Sequence, residues 1–149
     1  MVRKNVVDEI VNDLQILLAE TYGLYLKTQL YHWNVTGNNF YSLHLLFESQ
    51  YKDLADAVDV IAERIRALGK KVSASLSLFG SSKELPDPVV DADSQLMLRD
   101  LIKSHDHMVK LLLNIAEISS AANDKATEDI VIERLREHEK QLWILKSSL

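Results

Sequence analysis

Residues 29–66 read QLYHWNVTGNNFYSLHLLFESQYKDLADAVDVIAERIR. Gly37 interrupts two helical patterns, and after it the apolar residues recur every three or four positions until Gly69. This is the spacing of an amphipathic helix that buries one face. The stretch therefore predicts one long helix, on which both His44 and Glu63 lie.

Four side chains on this predicted helix are of types that bind metal ions: His44, Glu48, Asp59 and Glu63. At about 100° per residue they fall at roughly 0°, 40°, 60° and 100° around the helix axis, so they share one face. Asp59 follows His44 by roughly 22 Å along a helix, whereas the ligands of one metal ion lie about 2 Å from it. One chain alone therefore cannot bring all four to a single ion.

A second copy of the helix, antiparallel across a two-fold axis near Tyr51 and Lys52, removes this difficulty. It places the histidine end of one helix against Asp59 and Glu63 of the other, and it generates two equivalent sites per dimer. His32, just before the turn, then joins the same site. Imidazole and carboxylate together suit iron or another divalent transition metal. The alternative is a solvated face, because long helices often carry charged residues four positions apart.

The same residues resemble the signature of a known family. HWNVTG at residues 32–37 and DVIAER at 59–64, with His44 between them, are similar to the pattern of the Dps miniferritins (DNA protection during starvation). The resemblance covers essentially the whole chain, including the late Trp143. It implies a ferroxidase centre between two subunits, with four catalytic residues: His32 and His44 of one chain, Asp59 and Glu63 of its two-fold mate. Glu48 matches a nearby acidic position and is a further candidate for the metal site.

Composition limits the number of domains and the kinds of chemistry that the chain can have. The chain has 149 residues, of which 47% are hydrophobic and 26% charged, so we expect one globular domain over residues 1–149. It has no cysteine, which excludes disulfides, thiolate metal sites and a cysteine nucleophile. No apolar segment resembles a signal peptide or approaches the length of a membrane span, so we expect a cytoplasmic protein with no membrane partner.

Charge argues against a tight complex with DNA. The net charge is −5, and phosphate binding requires clustered lysine or arginine. The tail before Val6 offers only Arg3 and Lys4 as basic residues, whereas the DNA-binding members of the family that it resembles have longer, lysine-rich tails. Direct DNA binding is expected to be weak or absent.

Apolar stripes predict an all-α fold of four long helices. They are expected at about residues 6–33 and 41–68, from a cap at Asp91, Asp93 or Ser94 to about residue 121, and from about residue 127 to 149. The segment 70–88 contains both prolines and is too long for a tight hairpin, which favours the crossover of a ferritin-like four-helix bundle. Leu76, Leu78 and Phe79 predict a short extra helix in this crossover, between the second and third helices, as the family resemblance also implies.

Acidic residues cluster where the last two helices are expected to meet: Asp124, Glu128 and Asp129. Carboxylates favour the N-terminal end of a helix, so capping alone accounts for Asp124. In the family that the chain resembles, acidic residues at this junction line a three-fold pore through which iron enters, and Asp124 and Asp129 match those positions. Cap and pore both remain open.

Trp33 adjoins His32. Large aromatic residues usually serve as core or interface anchors, and the functional alternative is an electron donor that quenches radicals formed by iron and peroxide.

The remaining histidines are expected at surfaces. His105 and His107 point about 200° apart on a helix, so they do not form a joint metal site and read as surface or interface polarity. His138 lies in a run of charged residues, which is typical of a solvated face. The spacing Glu-x-x-His, from which one-chain di-iron sites are built, does not occur, and the three methionines offer no arrangement for haem.

The resemblance implies a ferroxidase that oxidises Fe(II), preferably with hydrogen peroxide, using iron (Fe2+/Fe3+) as the bound metal. The expected assembly is a hollow dodecamer built from two-fold dimers, which stores ferric oxide and protects DNA from oxidative damage. The alternatives are a non-enzymatic, DNA-compacting or helical interaction shell, and a cage whose site holds zinc or manganese. Ligand types alone do not choose the metal.

Overall fold

The structure, a computed structural model, describes residues 4–73 and 85–149. Over these residues the chain forms four α-helices and no strand. They are α1 (Lys4–Asn34), α2 (Phe40–Ala67), α3 (Ser94–Ala121) and α4 (Lys125–Ser147). The predicted all-α bundle is confirmed, and the helix ends lie close to those predicted because hydrophobic periodicity defines them well.

The helices pack as two hairpins, α1 with α2 and α3 with α4, which then pack face to face. The core between them is apolar, and its fully buried side chains include Leu14, Phe47, Ile61, Leu98 and Met108. Burying a side chain of this size contributes about 1.5–3 kcal/mol. The hydrophobic stripes read from the sequence therefore face one another.

Two polar contacts fix the direction of the second hairpin relative to the first. Lys27, near the end of α1, binds Asp100, near the start of α3. Arg64, near the end of α2, binds Asp124, just before α4. The start of α3 thus lies at the end of the bundle where α2 begins, so α2 and α3 run parallel. Their connection must cross the length of the bundle, as in a ferritin-like topology.

A short extra helix is predicted within this connection between α2 and α3. The residues on which that prediction rests, Leu76, Leu78 and Phe79, lie outside the described residues. Within the described ranges, no helix has the length and apolarity needed to span a lipid bilayer.

A tight turn joins α1 to α2. Gly37 has φ +108°, a conformation that L side chains rarely adopt. Val35 closes the end of α1, because its side chain is buried and its N–H donates to the Tyr31 carbonyl at 2.9 Å. The turn returns the chain so that the last residues of α1 lie against the first residues of α2.

Aspartates cap the two helices of the second hairpin. The Asp93 side chain accepts a hydrogen bond from the Leu96 N–H at 2.8 Å, and Asp124 accepts one from the Thr127 N–H at 3.1 Å. Asn123, with φ 56°, breaks the chain between α3 and α4. Asp93 is one of the expected caps, and the capping role predicted for Asp124 is confirmed.

Two histidines contradict the expectation of surface positions. His105 and His138 are each 1% exposed, and their Nδ1 atoms lie 2.8 Å apart between α3 and α4. The charged residues beside His138 in the sequence indicate a surface, but the helix turns His138 inward together with Arg134, while Glu139 and Lys140 stay exposed. His107 does diverge from His105, as the spacing requires, and its Nε2 contacts Glu20 of α1 at 2.7 Å.

Candidate metal centre

His32 and His44 meet across the turn between α1 and α2. Their ring centroids are 3.8 Å apart and the ring planes differ by 15°, so the imidazoles are stacked. The Nδ1 of each ring lies 2.7 Å from the backbone carbonyl oxygen of the other residue. These two reciprocal hydrogen bonds fix both rings to the backbone at the junction of the helices.

The reciprocal bonds also determine the tautomer. A carbonyl oxygen only accepts, so each Nδ1 must carry the hydrogen and donate it. In the neutral ring the lone pair is then on Nε2, the atom that a metal ion needs. Neither Nε2 has a hydrogen-bond partner in the described part of the chain. The turn thus presents two neutral imidazoles with their free nitrogen atoms oriented in advance.

Aromatic rings hold this pair on both sides. Phe40 stacks on His44 with centroids 5.1 Å apart, and Tyr51 meets His32 edge-on at 5.2 Å. His32 is only 8% exposed. With a ring on either flank, neither imidazole can rotate without losing packing. Sequence reasoning did not predict these aromatic partners.

Glu48 lies one turn beyond His44 on the same face of α2. Its Oε1 accepts a hydrogen bond from Lys52 Nζ at 2.8 Å. This bond and the charge of Lys52 lower the pKa of Glu48. Glu48 is therefore ionised at neutral pH and adds negative charge beside the two imidazoles.

Asp59 and Glu63 lie elsewhere on α2. Both are exposed, and neither makes a hydrogen bond or ion pair with the described part of the chain. Since α2 is continuous from Phe40 to Ala67, Asp59 is roughly 22 Å along the helix from His44. One chain thus brings His32 and His44 together, with Glu48 one helical turn beyond His44, but it does not bring the two carboxylates to them. In the described ranges, no three acidic or histidine side chains of one chain could hold an ion together.

The acidic junction between α3 and α4 is mostly occupied by internal bonds. Asp124 is buried, and besides the cap it accepts hydrogen bonds from Arg64 Nη2 at 2.7 Å and from Thr127 Oγ1 at 2.6 Å. Glu128 pairs with Lys125 at 2.8 Å, and a hydrogen bond from Lys125 is the largest cause that lowers its pKa. Asp129 is exposed and makes no polar contact with the described residues. Only Asp129 is fully available to an external cation.

Trp33 points away from the bundle. Its side chain is 58% exposed although the neighbouring His32 is buried. A core role for Trp33 is therefore wrong for the single chain. An interface anchor and an electron donor remain as predictions.

Comparisons with known proteins find one matching family and relatives that align with most of the chain. The sequence model of the ferritin-like domain family matches residues 11–149. A low temperature-induced protein of Nostoc is 34% identical over 140 residues, which are 93% of this chain and 78% of that protein. A protein of Porphyromonas gingivalis named for DNA protection during starvation is 30% identical over 138 residues, 93% of this chain and 87% of that one.

Solved structures share the fold over nearly the full chain. The crystal structure of the Dps protein from Vibrio cholerae superposes with a TM-score of 0.92 and 27% identity, covering 98% of this chain and 92% of that one. Its description places it in a broad superfamily of ferritin-like diiron-carboxylate proteins. The four helices and the parallel run of α2 and α3 thus have close counterparts in known structures.

Proposed function

Because the chain belongs to the Dps family of ferritin-like miniferritins, we propose that it is a ferroxidase that oxidises Fe(II) at sites shared by two subunits. Hydrogen peroxide is the preferred oxidant, and the ferric product is stored in the cavity of a hollow dodecamer. The reaction consumes both reagents that would otherwise form hydroxyl radicals, and this protects DNA. Iron here is substrate and cargo.

The reciprocal hydrogen bonds between His32 and His44 carry this proposal. They supply two neutral nitrogen ligands with fixed orientation, which lowers the entropy lost when an ion binds. Such rings, with Nδ1–H on a carbonyl and a free Nε2, are the form in which histidine binds divalent metal ions. A merely structural pair of histidines would not need both Nε2 atoms unpaired.

The carboxylates come from a partner in this proposal. An antiparallel copy of α2 would place the partner's Asp59 and Glu63 beside His32 and His44, because the distance along one helix is too great for a single chain. Two carboxylates favour Fe(III) over Fe(II), since the higher charge gains more from negative ligands. Glu48, ionised and held by Lys52, would orient the ligands or a water molecule from beside them.

Further parts of the proposal concern iron entry and location. Asp129, with Glu128 and Asp124 behind it, would attract cations at a three-fold pore. Trp33, exposed beside His32, would serve as an interface anchor or as a donor of electrons. The cytoplasmic location and weak direct binding of DNA stay predictions, the latter supported by the net charge of −5.

Iron oxidation in a double variant tests the proposal. In Asp59→Ala plus Glu63→Ala, we expect the assembly to keep its size and the fast oxidation of Fe(II) by peroxide to be lost. Asp56→Ala, at another exposed acidic position of α2, is the matched control and should oxidise iron normally. Normal rates in the double variant would refute the site. A wild-type particle that assembles but oxidises no iron would instead be a non-enzymatic shell or a cage whose site holds zinc or manganese.

A further inference from the structure

A continuous series of aromatic contacts leads away from the candidate metal centre. Tyr51 meets His32 edge-on at 5.2 Å, Tyr25 meets Tyr51 at 5.9 Å, and Tyr22 meets Tyr25 at 5.7 Å, all between ring centroids. We call Tyr51, Tyr25 and Tyr22 the tyrosine series. Each contact is edge-to-face, with interplanar angles of 69°, 75° and 66°. Each ring from His32 to Tyr22 thus contacts the next one in the series.

Helix geometry explains why these rings align. Tyr22, Tyr25 and His32 are spaced by three and seven residues on α1, so they lie on one stripe of that helix. Tyr51 projects from α2 between Tyr25 and His32. The α1 spacing is visible in the sequence, but only the pairing of α1 with α2 shows that Tyr51 connects the two.

We propose that the tyrosine series carries an oxidising equivalent from the metal centre to Tyr22. The inference rests on the proposed function, which supplies the oxidant. Hydrogen peroxide takes up two electrons, so a site that holds a single Fe(II) lacks one. Tyr51 supplies the missing electron together with its phenolic proton.

The step balances: Fe(II), hydrogen peroxide, the Tyr51 phenol and one proton from solvent give Fe(III), two water molecules and the Tyr51 phenoxyl radical. Tyr25 then gives one electron and one proton to the Tyr51 radical, and Tyr22 does the same for Tyr25. The phenols of Tyr51 and Tyr25 are restored. A thiol in solution gives a hydrogen atom to the Tyr22 radical and is itself oxidised to a thiyl radical.

Burial gives the series a direction. Tyr25 and Tyr51 are partly buried, whereas Tyr22 is 38% exposed. A radical at Tyr22 is therefore the one that a small reductant reaches. The series moves the oxidising equivalent away from His32 and His44, the two candidate metal ligands. Neighbouring rings in contact favour such transfer, because electron tunnelling weakens steeply with distance.

The other two tyrosines lie outside this path. The Tyr31 hydroxyl is tied to Asp100 at 2.5 Å on the opposite side of α1, in the core. Tyr41 is 73% exposed and makes no ring contact with the tyrosine series in the described part of the chain. Tyr41 therefore provides a matched control that changes a phenol near the centre without interrupting the series.

The experiment supplies assembled protein with less Fe(II) than its sites can bind and with excess hydrogen peroxide. Radicals are trapped by rapid freezing and identified by electron paramagnetic resonance, and oxidised side chains are mapped by mass spectrometry. The variants are Tyr25→Phe and Tyr51→Phe, which keep a ring and remove the phenol, with Tyr41→Phe as control. Particle size and helical content are measured for each.

In the wild type and in Tyr41→Phe we expect a tyrosyl radical and oxidation products at Tyr22. In Tyr25→Phe and Tyr51→Phe we expect Tyr22 oxidation to be lost and oxidation of His32 and His44 to rise. Unchanged oxidation of Tyr22 in Tyr25→Phe, or a tryptophanyl radical alone in the wild type, would overturn the series.

Iron oxidation is followed in the same samples. Normal iron oxidation without a radical at Tyr22 would remove only the tyrosine series. A wild-type protein that oxidises no iron would remove the proposed function as well.

Discussion

His105 and His138 share a single hydrogen bond between like nitrogen atoms, Nδ1 to Nδ1 at 2.8 Å, in the core of the bundle. Arg134 Nη2 lies 3.4 Å from His138 Nε2, and a guanidinium only donates. The hydrogen of neutral His138 is then on Nδ1 and is donated to His105. Burial is the largest cause that lowers both pKa values, that of His105 to about 3 and that of His138 well below 6.5, and the Arg134 charge adds to it.

The buried pair makes stability depend on pH. In the unfolded chain both histidines bind protons below pH 6.5, whereas in the fold they stay neutral, so this destabilisation is absent above that pH and grows as pH falls. Each histidine should cost about 2 kcal/mol between pH 7 and pH 5. Denaturant unfolding across this range measures the change. Asp53 does not offset it, since its carboxylate is held by Arg134 at 2.9 Å.

The variant His105→Leu plus His138→Leu is the comparison for this pH effect. Its free energy of unfolding should fall less between pH 7 and pH 5, because two groups that titrate on unfolding are gone. An equally steep fall in the variant would mean that other groups control the acid response.

Because two subunits contribute the ligands in the proposed site, two inactive variants should restore activity to each other in mixed dimers. One variant is Asp59→Ala plus Glu63→Ala, and the other is His32→Ala plus His44→Ala. Each alone should lack fast iron oxidation. Unfolded together and reassembled, half of the dimers would be mixed, and each mixed dimer has one intact site of two, so about a quarter of the wild-type rate should return. Stopped-flow iron oxidation measures it, and complete inactivity of mixed particles would show that the ligands do not combine across chains.

Two substitutions distinguish the helix-capping role from the iron-entry role of the acidic residues at the junction of α3 and α4. Asp124→Ala removes a helix cap and the carboxylate that pairs with Arg64, so the free energy of unfolding should fall by about 2–3 kcal/mol. Asp129→Asn changes an exposed, unbonded carboxylate, so stability should stay unchanged while iron uptake by intact particles slows. Denaturation and uptake kinetics measure the two effects. Unchanged uptake in Asp129→Asn would leave this junction with a structural role only.

The sequence predicts the parts of this molecule that depend on local pattern. Apolar periodicity sets the four helices, and Asp93 and Asp124 stand where caps are expected. The buried pair of His105 and His138 could not be predicted in this way. The burial of this pair depends on Arg134 and on the packing of α4 against two other helices. The charged residues beside His138 in the sequence indicate a surface instead.

In the candidate site, too, the sequence predicts what depends on local spacing but not what depends on helix packing. Spacing indicates that His32 and His44 lie at one junction, but the reciprocal bonds to carbonyl oxygens depend on the path of the turn through Gly37. The contact of Tyr51 with both Tyr25 and His32 depends on the rotation of α2 against α1. Local pattern does not define such rotations, because many helix pairings bury a stripe equally well.

The turn at Gly37 can be tested against a matched position. Gly37 has φ +108° and Gly69 has φ +84°, and a Cβ at either would meet nothing within 4 Å. Alanine at either position therefore costs backbone strain alone, about 1–3 kcal/mol of the free energy of unfolding. Only Gly37 sets the approach of His32 to His44, because Gly69 lies at the far end of α2.

Denaturant unfolding should thus show that Gly37→Ala and Gly69→Ala are destabilised to a similar degree. Only Gly37→Ala should slow iron oxidation and shift the histidine ring signals in nuclear magnetic resonance spectra. The reason is that relief of strain at residue 37 moves the carbonyl oxygens of His32 and His44, and the rings follow the atoms to which they donate. Equal loss of oxidation in the two variants would indicate that global stability, not the orientation of the imidazoles, limits the reaction.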